Sequence, residues 1–292
     1  MPKDSFRHLP PATRPIVARL FSIAVLALIF CMLAPAQAPA ANPANNISVA
    51  LPDAPAPQHS TPDDVTIGNV PRNLLHDQGA IWSGPAHIRT RDLRWLLPLA
   101  AASGVAFATD QHTMNQVVPR DPSFNQASIN TSNVLIGGWI VVPAAVYGFG
   151  RAHQDEHARE AGILTGQSMM DGVVVEEVLK LIFMRERPNV DDARGHFFQT
   201  SAGVDSSFPS SHALVAWSAA SALAAEYPAP WTQFALYSAA TSVSLTRVIG
   251  QQHFPSDVLV GSAIGWLIGH NVVKRHHHHE FKTHAIDEGS QQ

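Results

Sequence analysis

The chain has 292 residues, of which 46% are hydrophobic and 14% are charged. This composition argues against a disordered, collagen-like or coiled-coil chain. It is typical of a very apolar globular protein or of one partly embedded in a membrane. The formal net charge of −4 provides no broad positive field, so nucleic acid is not expected as a partner. The single cysteine, Cys31, argues against a disulfide framework and a multi-cysteine zinc site.

Residues 1–38 have the organisation of a secretory signal peptide. Four basic residues precede an apolar run at 20–33, which is short for a stable membrane span. Ala36 and Ala38 then supply the small residues that a signal peptidase requires before its cleavage site. We therefore expect the mature chain to lie in the cell envelope, on the periplasmic side, without its cysteine.

Composition divides the rest of the chain into four segments. These are a Pro/Ala-rich disordered tether at 39–69, a short surface helix and linker at 70–94, a helical bundle at 95–274 and a polar, histidine-rich tail at 275–292. The prolines of the tether are incompatible with a continuous helix or a central strand. The surface helix is expected over 70–82, because Pro71 suits a helix start and apolar residues follow it.

Apolar stretches separated by Pro, Gly, Asn or charged residues predict the helices of the bundle. These stretches are 95–109, 134–149, 161–183, 211–225, 231–246 and 258–273. No stretch shows the alternation of a strand, so we expect an all-α fold, a bundle of about six apolar helices. In the last helix, Gly261, Gly265 and Gly269 stand four residues apart and predict the close approach of another helix.

Three polar clusters lie at the ends of these helices, and the first is Lys180-x6-Arg187-Pro188. A spacing of seven residues brings the two cations near one helical face. Pro188 ends the helix and allows Arg187 to bend into a site. Glu176 precedes Lys180 by four residues, where its carboxylate can steady the lysine ammonium.

The second cluster, Pro209-Ser210-Ser211-His212, opens the helix that follows it. Serine hydroxyls and free backbone N–H groups at a helix start form a binding site for an anion. A histidine at this position can supply a proton. The cluster therefore predicts an anion site with an acid beside it.

The third cluster is Thr246-Arg247-x5-His253-x3-Asp257, and Pro255 suits a helix start just after the histidine. An aspartate four residues after His253 can hold the imidazole in one tautomer, which leaves the other nitrogen nucleophilic. The three clusters together contain three cations, two histidines, an aspartate and a helix N-terminus. This combination indicates phosphoryl transfer through a phosphohistidine, at a site formed by helix ends.

The clusters resemble the signature of the type 2 phosphatidic acid phosphatase and vanadium haloperoxidase superfamily, which is K-x6-R-P, then P-S-G-H, then S-R-x5-H-x3-D. The matching sequences are KLIFMRERP at 180–188, PSSH at 209–212 and TRVIGQQHFPSD at 246–257. Ser211 replaces the usual glycine but keeps the backbone N–H, and Thr246 replaces the usual serine but keeps a hydroxyl. The resemblance covers about 155–274.

The resemblance implies a role for each residue of the clusters. Phosphate would be bound by Lys180, Arg187, Ser210, Ser211 and Arg247. His253 would attack phosphorus, Asp257 would orient it, and His212 would protonate the leaving alkoxide and then activate water. The resemblance implies neither a metal nor another cofactor, because three cations and a helix terminus carry the charge that Mg²⁺ carries in kinases.

Other readings of the sequence compete with a metal-independent phosphatase. His153 to His157 fits the H-x-x-E-H pattern of some zinc proteases, although the pattern is short and opens a helix. A vanadium-dependent haloperoxidase would share the pocket. The resemblance implies that such enzymes are longer than this chain and contain extra helices, which argues against this alternative. A phosphate-binding or structural bundle would not explain why two histidines and Asp257 accompany the cations.

Membrane attachment and substrate are linked. The helix at 134–149 is apolar enough to span a membrane, whereas 95–109 is short and 161–183 carries four charged residues. We expect a periplasmic bundle that lies on or beside the membrane in preference to one embedded in the inner membrane. This location favours a phosphorylated lipid as the partner over a small phosphomonoester, the substrate of a broad-specificity secreted acid phosphatase.

Overall fold

The computed structural model describes the backbone of residues 65–289 and, within them, the side chains of 65–203 and 205–276. The expected signal peptide and most of the expected tether lie outside the described residues. The described part of the chain is helical, with short 3-10 turns between the helices and no strand. The expected all-α fold is therefore confirmed.

Seven α-helices follow one another in the described residues. They are α1 (Val70–Ser83), α2 (Leu93–His112), α3 (Pro122–His153), α4 (Glu156–Phe183), α5 (Ser211–Glu226), α6 (Pro230–Ile249) and α7 (Pro255–Gly289). The helices α2 to α7 correspond to the six expected apolar helices, and α1 lies where a short surface helix is expected.

Two helices are longer than the apolar stretches that predict them. The helix α3 begins at Pro122, because the Asp121 side chain caps it by accepting a hydrogen bond from the Phe124 N–H at 2.8 Å. The helix α7 continues to Gly289, into the segment expected as a tail. Both extensions are polar, so apolar periodicity alone does not detect them.

The central helix of the bundle is α5, which is buried along most of its length between α4, α6 and α7. Glycines bring α7 against it without intervening side chains. A Cβ atom on Gly265 would lie 2.2 Å from the Leu214 carbonyl oxygen, and one on Gly269 would lie 2.3 Å from the Ser218 carbonyl oxygen. This close approach brings the first turn of α7 beside the first turn of α5.

Buried polar contacts attach α1 to the bundle. The Gln167 side chain of α4 donates a hydrogen bond to Asp77 at 2.6 Å, and Gln78 donates one to Asp171 at 2.8 Å. In α7, His276 Nε2 lies 3.5 Å from Asp77 Oδ2. The helix α1 is thus anchored on its inner side, although the sequence marks it only as a surface helix.

Large apolar side chains face outward on several helices. They include Val134, Ile140 and Val141 on α3, Met170, Val173, Val178 and Leu181 on α4, and Trp231, Phe234 and Leu245 on α6. Within the described residues, α3 is the helix long and apolar enough to cross a membrane, and only 17% of its most apolar window is buried. The bundle therefore presents apolar surface to its surroundings on at least three helices.

Candidate active site

The predicted site residues lie at one end of the bundle, where four helices end or begin. Lys180 is in the last turn of α4 and Arg247 is in the last turn of α6. Ser210 occupies the N-cap position of α5, and Asp257 is in the first turn of α7. The loop from 184 to 210 contributes Arg187, so the three sequence clusters meet as expected at helix ends.

Each of the three cations is positioned differently. Lys180 is buried and forms the expected ion pair with Glu176. Arg187 is held by Asp205, whose carboxylate accepts a hydrogen bond at 2.8 Å. Arg247 is buried, and within the described residues its Nε has no hydrogen-bond partner. Burial and the nearby Arg187 lower the pKa of Arg247 to about 10, which leaves it charged at neutral pH.

The start of α5 offers a hydroxyl that the fold itself does not use. Ser210 is fully buried, yet among the described residues its Oγ has no partner and does not cap the helix. Leaving a buried hydroxyl unpaired costs about 1–3 kcal/mol, which a bound anion would recover. The Ser211 hydroxyl instead donates to Glu176, the carboxylate that pairs with Lys180. The side chain that replaces the usual glycine is thus accommodated against α4.

His253 is buried and held in one tautomer by the backbone. Its Nδ1 donates a hydrogen bond to the Ser207 carbonyl oxygen at 2.7 Å, and since a carbonyl only accepts, Nδ1 carries the proton. Burial, Arg247 and Arg187 hold the pKa of His253 well below its ordinary value. The imidazole is therefore neutral, with the lone pair on Nε2.

Asp257 does not contact this imidazole directly, which differs from the expected geometry. Its Oδ2 lies 3.9 Å from His253 Nδ1. Its carboxylate accepts hydrogen bonds from Arg185 (2.5 Å), the Ser207 hydroxyl (2.5 Å) and the Phe254 N–H (2.8 Å). Burial raises the pKa of Asp257 to about 6, and these three donors oppose the rise, so it is ionised at neutral pH. Asp257 is therefore linked to the histidine through Ser207 and through the backbone of Phe254, the next residue along the chain.

His212 lies in the first turn of α5, and its Nε2 is 3.4 Å from the Asn133 side-chain oxygen of α3. Burial and the cations Arg247, Lys180 and Arg187 lower its pKa to about 4. It is therefore neutral at pH 7. An anion bound among the same cations would offset their charge and raise the pKa of His212.

Several residues that hold this site are not predicted from the sequence. Arg185 and Asp110 are both almost fully buried and form an ion pair at 2.8 Å. Their signals in the sequence are weak: a second arginine inside the first cluster, and an aspartate at the end of an apolar helix. Ser207 acts through its backbone carbonyl, for which the sequence contains no signal.

The residues of the H-x-x-E-H pattern are divided between two helices. His153 ends α3 and Glu156 begins α4, and the His157 ring pairs with Glu226 at 3.1 Å. Among the described side chains, potential metal ligands converge to within 4.8 Å of one another in the loop after α4: Glu186, Asp191 and His196. This group is largely exposed, and two of its members, Asp191 and His196, lie outside the three clusters.

Comparison with known proteins supports the resemblance drawn from the clusters. Residues 161–280 match the sequence model of the PAP2 superfamily, and they contain all three clusters. The chain is 28% identical over 181 residues to a protein of Porphyromonas gingivalis named lipid A 1-phosphatase. That alignment covers 61% of this chain and 37% of the relative, so the chain spans little more than a third of it. No solved structure matches the chain significantly.

Proposed function

Because this chain belongs to the PAP2 superfamily through residues 161–280, we propose that it is a phosphatase that hydrolyses phosphomonoesters through a phosphohistidine intermediate. The observation that carries the proposal is the state of His253. A neutral imidazole with its lone pair on Nε2 lies among cations that would attract a phosphate. A nucleophile and its substrate are thereby brought to the same place.

Phosphate binding uses groups that the fold leaves available at the end of the bundle. Arg247 and the Ser210 hydroxyl each have an unpaired polar atom within the described residues. Ser210 is at the N-cap of α5, and Arg247, Lys180 and Arg187 lie close enough to His212, in the first turn of α5, to lower its pKa. Charge-assisted hydrogen bonds from these groups neutralise the phosphate oxygens before and during the reaction.

The reaction proceeds in two displacements. When the phosphate binds, it offsets the neighbouring cations and His212 takes up a proton. His253 Nε2 attacks phosphorus, the bond to the ester oxygen breaks, and His212 donates this proton to the departing alkoxide. The neutral His212 then accepts a proton from water, whose oxygen attacks phosphorus as the P–N bond breaks. Phosphate leaves, and both histidines return to their starting states.

The favoured substrate class is a phosphorylated lipid. The matched relative is named for a lipid phosphatase, and α3, α4 and α6 carry outward-facing apolar side chains. A bundle with such a surface would associate with the periplasmic side of a membrane and hold its site near the headgroups. The alternative is a broad-specificity secreted acid phosphatase that acts on small phosphomonoesters.

The purified protein is expected to release phosphate from phosphomonoesters without added metal and with EDTA present. The reason is that three cations and a helix N-terminus supply the charge stabilisation that a metal supplies elsewhere. Phosphate release is measured with and without EDTA. His153→Ala serves as an active control, because that side chain is exposed and has no role in the proposed mechanism. Strict dependence on a divalent ion would contradict the mechanism.

A lipid substrate should produce a dependence of kcat/KM on acyl-chain length. In mixed micelles, longer chains bring more apolar contact and more binding energy to the transition state, so kcat/KM should rise along a homologous series. The series is compared with glucose phosphate and glycerol phosphate under the same conditions. A flat response, with comparable rates on the small esters, would favour the broad-specificity phosphatase instead.

A further inference from the structure

Arg185 is a buried arginine that the proposed mechanism does not use. It follows α4 directly, and its side chain is 3% exposed. Its guanidinium donates to Asp257 at 2.5 Å, to Asp110 at 2.8 Å and to the Gly195 carbonyl at 3.2 Å. A guanidinium held by two carboxylates has one orientation, because its planar fork matches them only in that arrangement.

Three aromatic rings enclose this guanidinium. The Arg185 Cζ atom lies 4.0 Å from the ring centroid of Phe254, 4.8 Å from that of Phe197 and 5.3 Å from that of Phe107. The rings exclude water and restrict movement of the arginine. A buried ion pair generally adds little net stability compared with apolar packing, so stability alone is a weak explanation for this arrangement.

The contacts of Arg185 lead to the nucleophile in two ways. Through the side chain, Arg185 holds Asp257, and Asp257 accepts a hydrogen bond from the Ser207 hydroxyl. Through the backbone, the Arg185 carbonyl accepts a hydrogen bond from the Ser207 N–H at 2.7 Å. Ser207 is therefore fixed at both its side chain and its backbone. Its carbonyl oxygen is the group that accepts the His253 Nδ1 proton.

Asp110 extends this arrangement to α2, outside the residues that match the family model. Its carboxylate binds Arg185, accepts a hydrogen bond from the Ser256 N–H at 3.1 Å, and also pairs with the Ser256 hydroxyl. Ser256 lies in the first turn of α7, next to Asp257. The carboxylate of Asp110 thus holds both the arginine and the helix start that carries Asp257.

We infer that Arg185 and Asp110 are positioning residues that hold His253 in its nucleophilic tautomer, acting through Asp257 and Ser207. This inference rests on the proposed role of His253 as the nucleophile. It predicts that disturbing either residue misplaces Nε2 while the phosphate-binding groups Lys180, Arg187, Arg247 and Ser210 keep their positions.

The test compares Arg185→Lys, Arg185→Gln and Asp110→Asn with the wild type. We expect each variant to lose about 10- to 100-fold in kcat with little change in KM, because a small displacement of the nucleophile affects the chemical step more than binding. The matched control is Arg194→Gln, an exposed arginine of the same loop, which should keep the wild-type kcat.

The pH profile separates a positioning role from a merely structural one. The charged or titratable groups that face His253 are Arg247 from α6, Arg187 from the loop, His212 from α5 and Asp257 from α7. Arg185→Gln removes the positive charge that pairs with the Asp257 carboxylate. The acidic limb of the pH profile of kcat/KM should therefore move to higher pH. Arg185→Lys keeps the charge, so its limb should stay close to that of the wild type.

The outcomes distinguish this inference from the proposed function. A wild-type protein without phosphatase activity would contradict the proposed function itself. An active wild type, an inactive His253→Ala variant and unchanged kcat in both Arg185→Lys and Asp110→Asn would overturn the inference alone. A loss of activity that only follows a fall in Tm, with the acidic limb of Arg185→Gln unmoved, would also overturn it, because it would show a structural role.

Discussion

Replacing His253 with alanine is expected to abolish the phosphoenzyme and to lower kcat on the order of 10⁴-fold or more. In the proposed mechanism, the Nε2 lone pair of His253 forms the bond to phosphorus. The surrounding cations bind phosphate but have no lone pair to donate, so they do not replace the nucleophile. The phosphoenzyme is measured by brief incubation with a radiolabelled phosphomonoester, followed by an alkaline quench that preserves the P–N bond.

The loss of activity in His253→Ala must be distinguished from unfolding of the variant. His153→Ala is the matched control, because it removes the same side chain from an exposed position at the end of α3 and should keep both the label and the activity. The rise in Tm on addition of inorganic vanadate measures whether His253→Ala still binds the anion, and so whether the phosphate site is still formed. A variant that accumulates label as the wild type does would place the nucleophile on another residue.

Much of the fold follows from patterns that the sequence displays. Apolar stretches bounded by Pro, Gly or charge identify α2 to α7. The glycine stripe of the last helix predicts the close approach of another helix, which the structure shows to be α5. The early start of α3 is missed because it depends on the Asp121 cap and not on apolar periodicity. Helix existence is therefore easier to predict than helix length.

The candidate site also has a part that the sequence predicts and a part that it does not. The apolar stretches place Lys180 and Arg247 in the last turns of α4 and α6, because a helix that ends at a known residue also locates its last turn. Arg187 instead lies in the loop, because α4 ends at Phe183, before Pro188. The support of His253 is different. It depends on the backbone carbonyl of Ser207, and every residue carries such a carbonyl. The sequence suggests a direct contact between Asp257 and His253. In the structure, Asp257 accepts a hydrogen bond from the Ser207 hydroxyl, and the Ser207 carbonyl holds the imidazole.

Replacing His212 with alanine is expected to separate substrates by their leaving groups. His212 protonates the departing alkoxide in the proposed mechanism, and p-nitrophenolate leaves without that help. We therefore expect a loss of about 10²–10⁴-fold in kcat on an alkyl phosphate and a much smaller loss on p-nitrophenyl phosphate. Both rates are measured on the same enzyme preparation, so that partial unfolding cancels in their ratio. Equal losses on the two substrates would contradict the role of His212.

The pKa of His212 supplies an independent check of the same role. Burial and three cations lower it to about 4 in the free site, and a bound anion raises it by offsetting those cations. Anion binding therefore takes up a proton, and it should strengthen as pH falls from the pKa of the complex towards about 4, below which both forms carry the proton. Inorganic sulfate is a suitable competitive inhibitor, because its own charge is constant over this range. We expect the inhibition constant of sulfate to decrease as the pH is lowered in the wild type. In His212→Ala, the inhibition constant should change much less with pH. The same dependence in both proteins would mean that another group takes up the proton.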